Sequence, residues 1–310
     1  MKKIKLNKYL LPLNAGRYLW LLVFLCLFIN NGQAQDATST SGSTTEALKP
    51  IKNTFDDILV IDDQTVMVPQ KNTFEFELEH RFGAPITDGY KDMCGLFTGA
   101  NMAIKFNYSP VTNLNLGIGL NEENKTWEGN LKYALMRQSE KGGWPVSISY
   151  YGNFAIDGRP TAGNFVSSND RFSYFDELMI ARKFNDKLSI QAAATVSYFN
   201  NIAGYLDADG NIQPSMYNYQ YGLAFIGRYK ITETFAIIVD YDQPLTTQIM
   251  NNPHPNVAYG IDLGTKGHSF QLFLTNYGYT LPQNDNFYNQ NDYTKGHWII
   301  GFNITRKWHF

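Results

Sequence analysis

Hydrophobic and polar residues alternate along most of the chain from residue 72 onward. In the stretch 74–82, aromatic and aliphatic residues and a histidine occupy every second position, and three glutamates and an arginine occupy the positions between them. A period of two predicts a β-strand with one apolar and one charged face. Four consecutive charged positions are unusual on the inner face of a soluble core and typical of a strand whose inner face lines water.

The same alternation predicts about twelve strands, within a range of about ten to fourteen. Strand 171–184 is the least regular, because Leu178 and Ile180 lie in one phase and Phe175 and Met179 lie in the other. Strand 99–108 is predicted to end at a turn formed by Ser109 and Pro110. The predicted strands are 72–82, 99–108, 113–121, 125–138, 145–157, 171–184, 188–199, 217–229, 235–241, 257–263, 270–277 and 298–310.

The links between these strands alternate in length. Short links at 109–112, 139–144, 185–187, 230–234 and 264–269 alternate with long ones, and only the link at 122–124 departs from the pattern. Tight turns on one side and long loops on the other are typical of outer-membrane barrels. The sequence therefore predicts an all-β protein, an antiparallel transmembrane β-barrel with both termini in the periplasm.

The region before the barrel is predicted to have two parts. Residues 1–34 have a basic leader, an apolar run of eleven residues (Leu19–Ile29) and small residues near Ala34, which predicts a cleaved signal peptide and export. Residues 35–70 are predicted to be a periplasmic extension, flexible at first and partly apolar from residue 49. Its apolar part is expected to dock on the periplasmic rim or within the lumen of the barrel, which comprises residues 71–310.

The last predicted strand ends on its apolar face, at Phe310. This arrangement resembles the closing strand of outer-membrane barrels, whose terminal aromatic residue is recognised by the barrel-assembly machinery. Phe302, Trp308 and Phe310 are accordingly predicted to form the assembly signal. The strand is expected to pair with strand 72–82 and so to close the barrel, with outer-membrane lipid and the assembly machinery as its partners.

Composition narrows the range of functions. The formal net charge of −2 gives no general attraction to nucleic acid, and none is expected as a partner. The 20 Tyr, 21 Phe and 5 Trp residues suit a protein with many membrane-interface positions. Once the signal peptide is removed, Cys94 is the only cysteine, so an intrachain disulfide is excluded, and no role is assigned to Cys94.

Charged residues in the polar phase of the strands are the candidate functional residues. Two functions remain open. The first is a narrow channel or transporter for small solutes, in which lumen charges set ion preference. The second is a plugged structural or docking barrel, whose loops or N-terminal segment bind an envelope protein. The candidate lumen charges are Glu75, Glu77, Glu79, Arg81, Lys105, Glu128, Lys132, Arg228, Asp240, Asp242 and Asp262.

No residues of the sequence are assigned to metal binding or catalysis. Residues 207–211 (DADGN) resemble the beginning of a calcium loop, but Asn218 occupies the twelfth position, where a carboxylate is needed, and a loop turn explains the same residues. A nucleophile elbow of the G-x-S-x-G type does not occur. We therefore predict neither a metal site, a cofactor nor enzymatic activity.

Six stretches together resemble an uncharacterised family of Gram-negative outer-membrane β-barrel proteins, classed as a domain of unknown function. The resemblance covers most of residues 53–310. It implies a barrel and an outer-membrane location, and it brings no activity, ligand or catalytic residue. The stretches are FEFELEHRFG (74–83), DRFSYFDELMIARKF (170–184), DYDQPL (240–245), NNPHPN (251–256), FYNQNDYTKG (287–296) and GFNITR (301–306).

Overall fold

The computed structural model describes residues 50–310, except residues 52, 84, 87, 88, 90, 92, 98, 141 and 266. The predicted signal peptide (1–34) and the first part of the predicted extension (35–49) lie outside the described residues. No helix within the described part of the chain is long and apolar enough to cross a membrane.

Twelve antiparallel strands form a closed barrel, which confirms the predicted fold class. Two further antiparallel pairs lie outside the barrel sheet: β1 (Leu59–Val60) with β2 (Asp63–Gln64), and β10 (Gly204–Leu206) with β11 (Ile212–Pro214). The barrel strands are β3 (Thr73–Phe82), β4 (Ala100–Val111), β5 (Leu114–Asn121), β6 (Thr126–Met136), β7 (Ser147–Ile156), β8 (Phe172–Lys183), β9 (Leu188–Phe199), β12 (Tyr219–Thr232), β13 (Phe235–Pro244), β14 (Asn256–Gly264), β15 (His268–Thr275) and β16 (Ile299–His309).

The last strand closes the barrel against the first. Ile304 of β16 lies opposite Leu78 of β3, and Thr305 lies opposite Glu77. Because side chains alternate between the two faces of a sheet, this register aligns the apolar faces of both strands and the polar faces of both strands. The predicted pairing of strand 298–310 with strand 72–82 is therefore confirmed.

The outer face of the barrel is apolar and exposed. Burial alternates strictly along β3, where the polar positions are buried and the apolar ones are partly exposed. Ile118, Trp127 and Leu178 are examples of large outward side chains, with 63%, 60% and 53% exposure. An apolar outer band with a polar interior inverts the usual arrangement of a soluble protein and matches a barrel that faces lipid.

The two ends of the barrel differ. One end carries tight links such as 112–113, 184–187 and 233–234 and is called here the short-turn end; the other, called the long-loop end, carries the links 83–99, 157–171, 200–218, 245–255 and 276–298. The predicted turn at Ser109 and Pro110 is wrong. β4 continues through both residues to Val111 with an irregular register after Tyr108, and a bulge of this kind accommodates a proline that cannot donate to the ladder.

The helices among residues 50–310 are short and lie in the links. Helix α1 (Pro282–Tyr288) begins with a proline, which suits the first turn of a helix because the backbone N–H there has no partner within the helix. In the described part of the chain, single turns of 3₁₀-helix occur at Met93–Gly95, Glu123–Lys125, Ser168–Arg171 and Tyr293–Lys295. Helix α1 is buried at six of its seven positions, so its link folds inward.

Candidate functional site in the barrel lumen

The inner face of the barrel carries a dense set of charged residues. All eleven charged residues that the sequence assigns to the lumen are buried, with no more than 7% exposure. They come from six strands, because alternation turns every second residue of each strand inward. They are Glu75, Glu77, Glu79, Arg81, Lys105, Glu128, Lys132, Arg228, Asp240, Asp242 and Asp262.

Residues 53–68, called here the plug segment, lie inside the barrel. The segment contains the β1–β2 hairpin, and its apolar residues Phe55, Val60, Ile61 and Val66 are buried in one cluster with residues of the barrel wall. The wall side of the cluster includes Phe175, Met179 and Phe273, and Tyr277 of the link 276–298 joins the same cluster. Of the two locations that the sequence left open, the rim and the lumen, the structure therefore shows the lumen.

The plug segment also explains the irregular phase of β8. Phe175 and Met179 face inward with 2% and 0% exposure, while Leu178 faces outward. Apolar residues are needed on the inner face here because they pack against the plug segment. A strand that meets lipid on one side and an apolar plug on the other loses its simple alternation.

Wall side chains hold the backbone of the plug segment by hydrogen bonds. Gln271 accepts from the backbone N–H of Ile61 (2.9 Å) and donates to the carbonyl of Leu59 (3.0 Å). Gln191 accepts from the N–H of Val66 (2.8 Å) and donates to the carbonyl of Gln64 (2.7 Å). These amide side chains substitute for a sheet ladder, so the buried backbone of the hairpin is satisfied without joining the barrel sheet.

Lys132 and Arg81 add charged donors to this arrangement. Lys132 Nζ donates to the carbonyl of Ile58 (2.8 Å), and Arg81 donates to the carbonyl of Ile61 (3.2 Å). Arg81 is fully buried and also lies 3.5 Å from Asp62 and 3.5 Å from Glu79. The guanidinium therefore links the tip of the hairpin to the barrel wall.

Ion pairs join neighbouring parts of the wall and the base of the plug segment. Lys105 Nζ lies 2.7 Å from Glu79 and 3.4 Å from Glu128. At the short-turn end, Arg228 bridges Asp262 (3.0 Å) and Asp56 of the plug segment (2.7 Å). Ion pairs therefore connect the barrel wall to the plug segment where that segment enters the lumen.

Lys307 contributes a second charged contact at the same end. Its Nζ donates to the carbonyl of Asp56 (2.9 Å) and is paired with the carboxylate of Asp57. Lys307 lies in the polar phase of β16, so its inward position follows from the alternation, although it was not among the candidate lumen charges. Both charged contacts place the start of the plug segment at the short-turn end.

The link 276–298 fills the lumen from the long-loop end. Lys105 donates to the carbonyl of Thr280 (3.2 Å), and the hydroxyl of Thr280 donates to Asn121 (3.0 Å). From helix α1, Gln283 donates to Asn153 of β7 (3.0 Å). The described residues therefore occupy the lumen from both ends, the plug segment from one side and this link from the other.

Several buried carboxylates were not among the candidate lumen charges predicted from the sequence. Asp62, Asp63 and Glu177 are buried with 5%, 4% and 1% exposure, and Asp285 of helix α1 is fully buried. Glu177 belongs to the irregular strand β8, where the phase gave no reliable inward assignment. The two aspartates lie in a segment that was recognised by its apolar residues, so sequence periodicity carried no signal for them.

The carboxylates of the long loops are held by local hydrogen bonds. In the β10–β11 hairpin, the side chain of Gln213 (2.9 Å) and the backbone N–H of Asn211 (2.8 Å) donate to Asp207 and lower its pKa. In the link 276–298, hydrogen bonds from the side chain and backbone of Thr294 lower the pKa of Asp292 to about 2. The residues that resembled a calcium loop thus form a turn closed by its own donors.

The predicted assembly residues lie on or beside the outer face of β16. Phe302 stacks against His80 at 4.9 Å between ring centroids, and Trp308 contacts Phe74 at 5.6 Å. Phe310 is 79% exposed at the short-turn end. These positions are compatible with recognition from outside the barrel, and the role in assembly stays a prediction.

The fold and its lipid-facing surface define a membrane-spanning β-barrel. Residues 55–308 match the model of a family described as a membrane bound beta barrel domain (DUF5777), and the chain belongs to this family. The match confirms the resemblance noted in the sequence. A bacterial barrel of this kind spans the outer membrane, which is the location of this protein.

Solved structures of similar shape are outer-membrane barrels. The NanC porin is 9% identical over 76% of this chain and 99% of its own, with a TM-score of 0.46. An outer-membrane channel from Pseudomonas putida F1 (COG4313) is 11% identical over 78% of this chain and 97% of its own, with a TM-score of 0.46. The Pseudomonas putida toluene transporter TodX is 8% identical over 79% of this chain and 91% of its own, with a TM-score of 0.41.

Comparison with curated proteins gives no match. The comparisons give no support to the docking alternative.

Proposed function

We propose that the protein is a gated channel for small solutes that favours cations, with the plug segment as its gate. The observation that carries this proposal is the charge of the interior. Among the described residues outside the plug segment, nine carboxylates and four basic side chains are buried. The carboxylates are Glu75, Glu77, Glu79, Glu128, Glu177, Asp240, Asp242, Asp262 and Asp285, and the basic residues are Arg81, Lys105, Lys132 and Arg228.

An excess of negative charge inside a pore raises the local concentration of cations and repels anions. The wall residues around the plug segment are charged. If the interior served only to stabilise the barrel, apolar residues at these positions would stabilise it as well or better. If the plug segment moves, the exposed passage is polar. Of the two functions predicted from the sequence, this proposal keeps the narrow channel and adds a gate to it.

The contacts of the plug segment suit a reversible gate. Its hairpin is held by hydrogen bonds from wall side chains such as Gln191, Gln271 and Ser149, and it shares no ladder with the barrel sheet. Each such bond contributes about 0.5–1.5 kcal/mol. The segment is therefore removable without breaking the twelve-stranded sheet, and the proposal requires no catalysis.

Planar-bilayer recordings test this proposal. The intact protein is expected to open rarely, and deletion of residues 53–68 is expected to give frequent openings that favour K⁺ over Cl⁻. In that deletion background, Glu77→Gln with Glu79→Gln should lower the cation preference, as read from the reversal potential in a salt gradient. Glu233→Gln is the matched control, because Glu233 lies in an exposed turn with 93% side-chain exposure. Silence of a correctly folded deletion variant would contradict the channel function.

A further inference from the structure

Three aspartates from two parts of the chain meet inside the lumen. Asp63 belongs to the plug segment, and Asp240 and Asp242 share the inner face of β13. One carboxylate oxygen of each residue lies within 4.8 Å of the corresponding oxygens of the other two. Their exposures are 4%, 1% and 6%, so water has little access to the group. Three buried like charges at this spacing repel one another strongly unless something neutralises them.

The oxygens divide into held and free atoms. Asp240 Oδ2 accepts from the hydroxyl of Tyr277 (2.7 Å), and Asp242 Oδ2 accepts from the side-chain amide of Asn256 (3.1 Å). Asp240 Oδ1, Asp242 Oδ1 and Asp63 Oδ2 are buried and have no hydrogen-bond partner. One oxygen oriented by a protein donor and one left free is the arrangement found around metal-binding carboxylates.

A fourth buried carboxylate, Glu177, also lacks hydrogen-bond donors. Glu177 is 1% exposed, and neither of its oxygens has a hydrogen-bond partner. Its charged neighbours include Asp242 and Lys132. A buried carboxylate without any donor is rare in folded proteins and calls for an explanation such as an ion.

Basic residues do not neutralise this group. Arg81 is paired with Asp62 and Glu79, and Lys132 Nζ donates to the carbonyl of Ile58. Within the described part of the chain, none of the ion pairs includes Asp63, Asp240 or Asp242. The negative charge of the site is therefore available to a bound cation.

We propose that Asp63, Asp240 and Asp242 bind a divalent cation of the Ca²⁺ type, with Glu177 nearby. Ca²⁺ takes oxygen ligands at about 2.3–2.6 Å, so two oxygens bound to the same ion lie at most about 5.2 Å apart, and the three carboxylates, whose oxygens lie within 4.8 Å of one another, meet this limit. Mg²⁺ binds at about 2.1 Å and usually keeps several of its waters, which suits this buried group less well. Because Asp63 is in the plug segment, the ion fastens the hairpin to β13. Binding does not depend on the proposed conductance and is measured separately from it.

Terbium luminescence and thermal stability of the full-length protein in detergent test the site. After treatment with EDTA, Tb³⁺ is added with excitation of tyrosine, since Tyr277 donates to Asp240 and is a close energy donor. We expect saturable luminescence that Ca²⁺ displaces. At about 100 times its dissociation constant, Ca²⁺ should raise the temperature of the heat-induced mobility shift by about 5–10 °C.

Two variants and a control separate binding from folding. Asp240→Asn with Asp242→Asn should abolish the luminescence and the Ca²⁺-dependent shift, and in EDTA it should be at least as stable as the unmodified barrel because it removes two like charges. Asp63→Asn should have the same effect while leaving the barrel wall unchanged. Asp207→Asn is the control and should leave binding intact, because the oxygens of Asp207 are engaged in its own turn.

The opposite results would overturn the inference. If neither Ca²⁺ nor Mg²⁺ changes the stability of the EDTA-treated protein, the carboxylates are neutralised by protons and not by a metal ion. Equal luminescence in the unmodified protein and in Asp63→Asn would likewise place any bound ion elsewhere.

Discussion

Replacement of Arg81 by methionine should destabilise the barrel strongly. Arg81 is fully buried, lies 3.5 Å from Asp62 and from Glu79, and donates to Asn303 at 2.8 Å. Methionine preserves much of the volume but none of the charge. Its introduction leaves the Asp62 carboxylate without its cationic partner, whereas Lys105 remains beside Glu79. Removal of one partner from a buried ion pair costs about 3–5 kcal/mol, and this is the loss we expect.

Equilibrium unfolding in denaturant, followed by tryptophan fluorescence of the purified barrel, measures this loss. Arg159→Met is the matched control. Arg159 pairs with Asp157 at 2.6 Å in a link, its side chain is 44% exposed, and an ion pair of this kind contributes less than about 1 kcal/mol. Both variants lose an arginine and gain a methionine, so the difference between their losses of unfolding free energy measures the effect of burial.

A double variant tests the stated cause. Asp62→Asn removes the carboxylate that Arg81 compensates, so Arg81→Met combined with Asp62→Asn should lose less stability than Arg81→Met alone. Neighbouring residues that share an ion pair show such coupling in double-mutant cycles. The reasoning is refuted if Arg81→Met costs under about 1 kcal/mol, or if the two substitutions are additive.

Three further predictions concern the outer face, the plug and assembly. Leu178→Arg places a charge on the lipid-facing side of β8 and should lower the free energy of unfolding in vesicles by about 2–4 kcal/mol. Val166→Arg, in a fully exposed link position, should cause no measurable loss, and equal effects of the two substitutions would contradict the lipid-facing assignment. Phe175→Ala removes a buried ring packed against the plug segment and should lower the free energy of unfolding of the intact protein by about 3–5 kcal/mol. The loss should be clearly smaller after deletion of residues 53–68, and an unchanged loss would show that the ring does not pack on the plug segment. Deletion of Phe310 should lower the amount of barrel in the outer membrane on immunoblots, whereas Phe310→Tyr should not; unchanged levels in the deletion strain would argue against an assembly signal.

The barrel was predictable from the sequence because its strands obey a simple physical rule. Lipid outside and polar groups inside impose alternation on every strand, and this alternation located β3 and β9 to within a residue. The same rule assigned the lumen charges, since a residue between two lipid-facing neighbours must point inward. The end of β4 was missed because Pro110 lies within an irregular strand end instead of a turn.

The contents of the lumen were not predictable in this way. The apolar residues of 55–68 can bury themselves on any apolar surface, so their composition indicates docking without giving its place. Helix α1 comes from a link rich in Asn and Gln, whose side chains bind other lumen amides only once the barrel has closed. The meeting of Asp63 with Asp240 and Asp242 joins residues about 180 positions apart in the chain.

Disulfide cross-linking tests most directly that the plug segment lies inside the barrel. In a Cys94→Ser background, Thr54→Cys with Ser147→Cys brings two sulfurs together where the hydroxyls now lie 3.1 Å apart, and we expect near-complete disulfide formation in intact outer membranes. Thr54→Cys with Ser197→Cys is the control, because Ser197 contacts Asn286 of helix α1 in the part of the lumen that the long-loop end occupies. This control pair should remain reduced. Failure of the first pair to cross-link, or equal cross-linking of both pairs, would contradict the account.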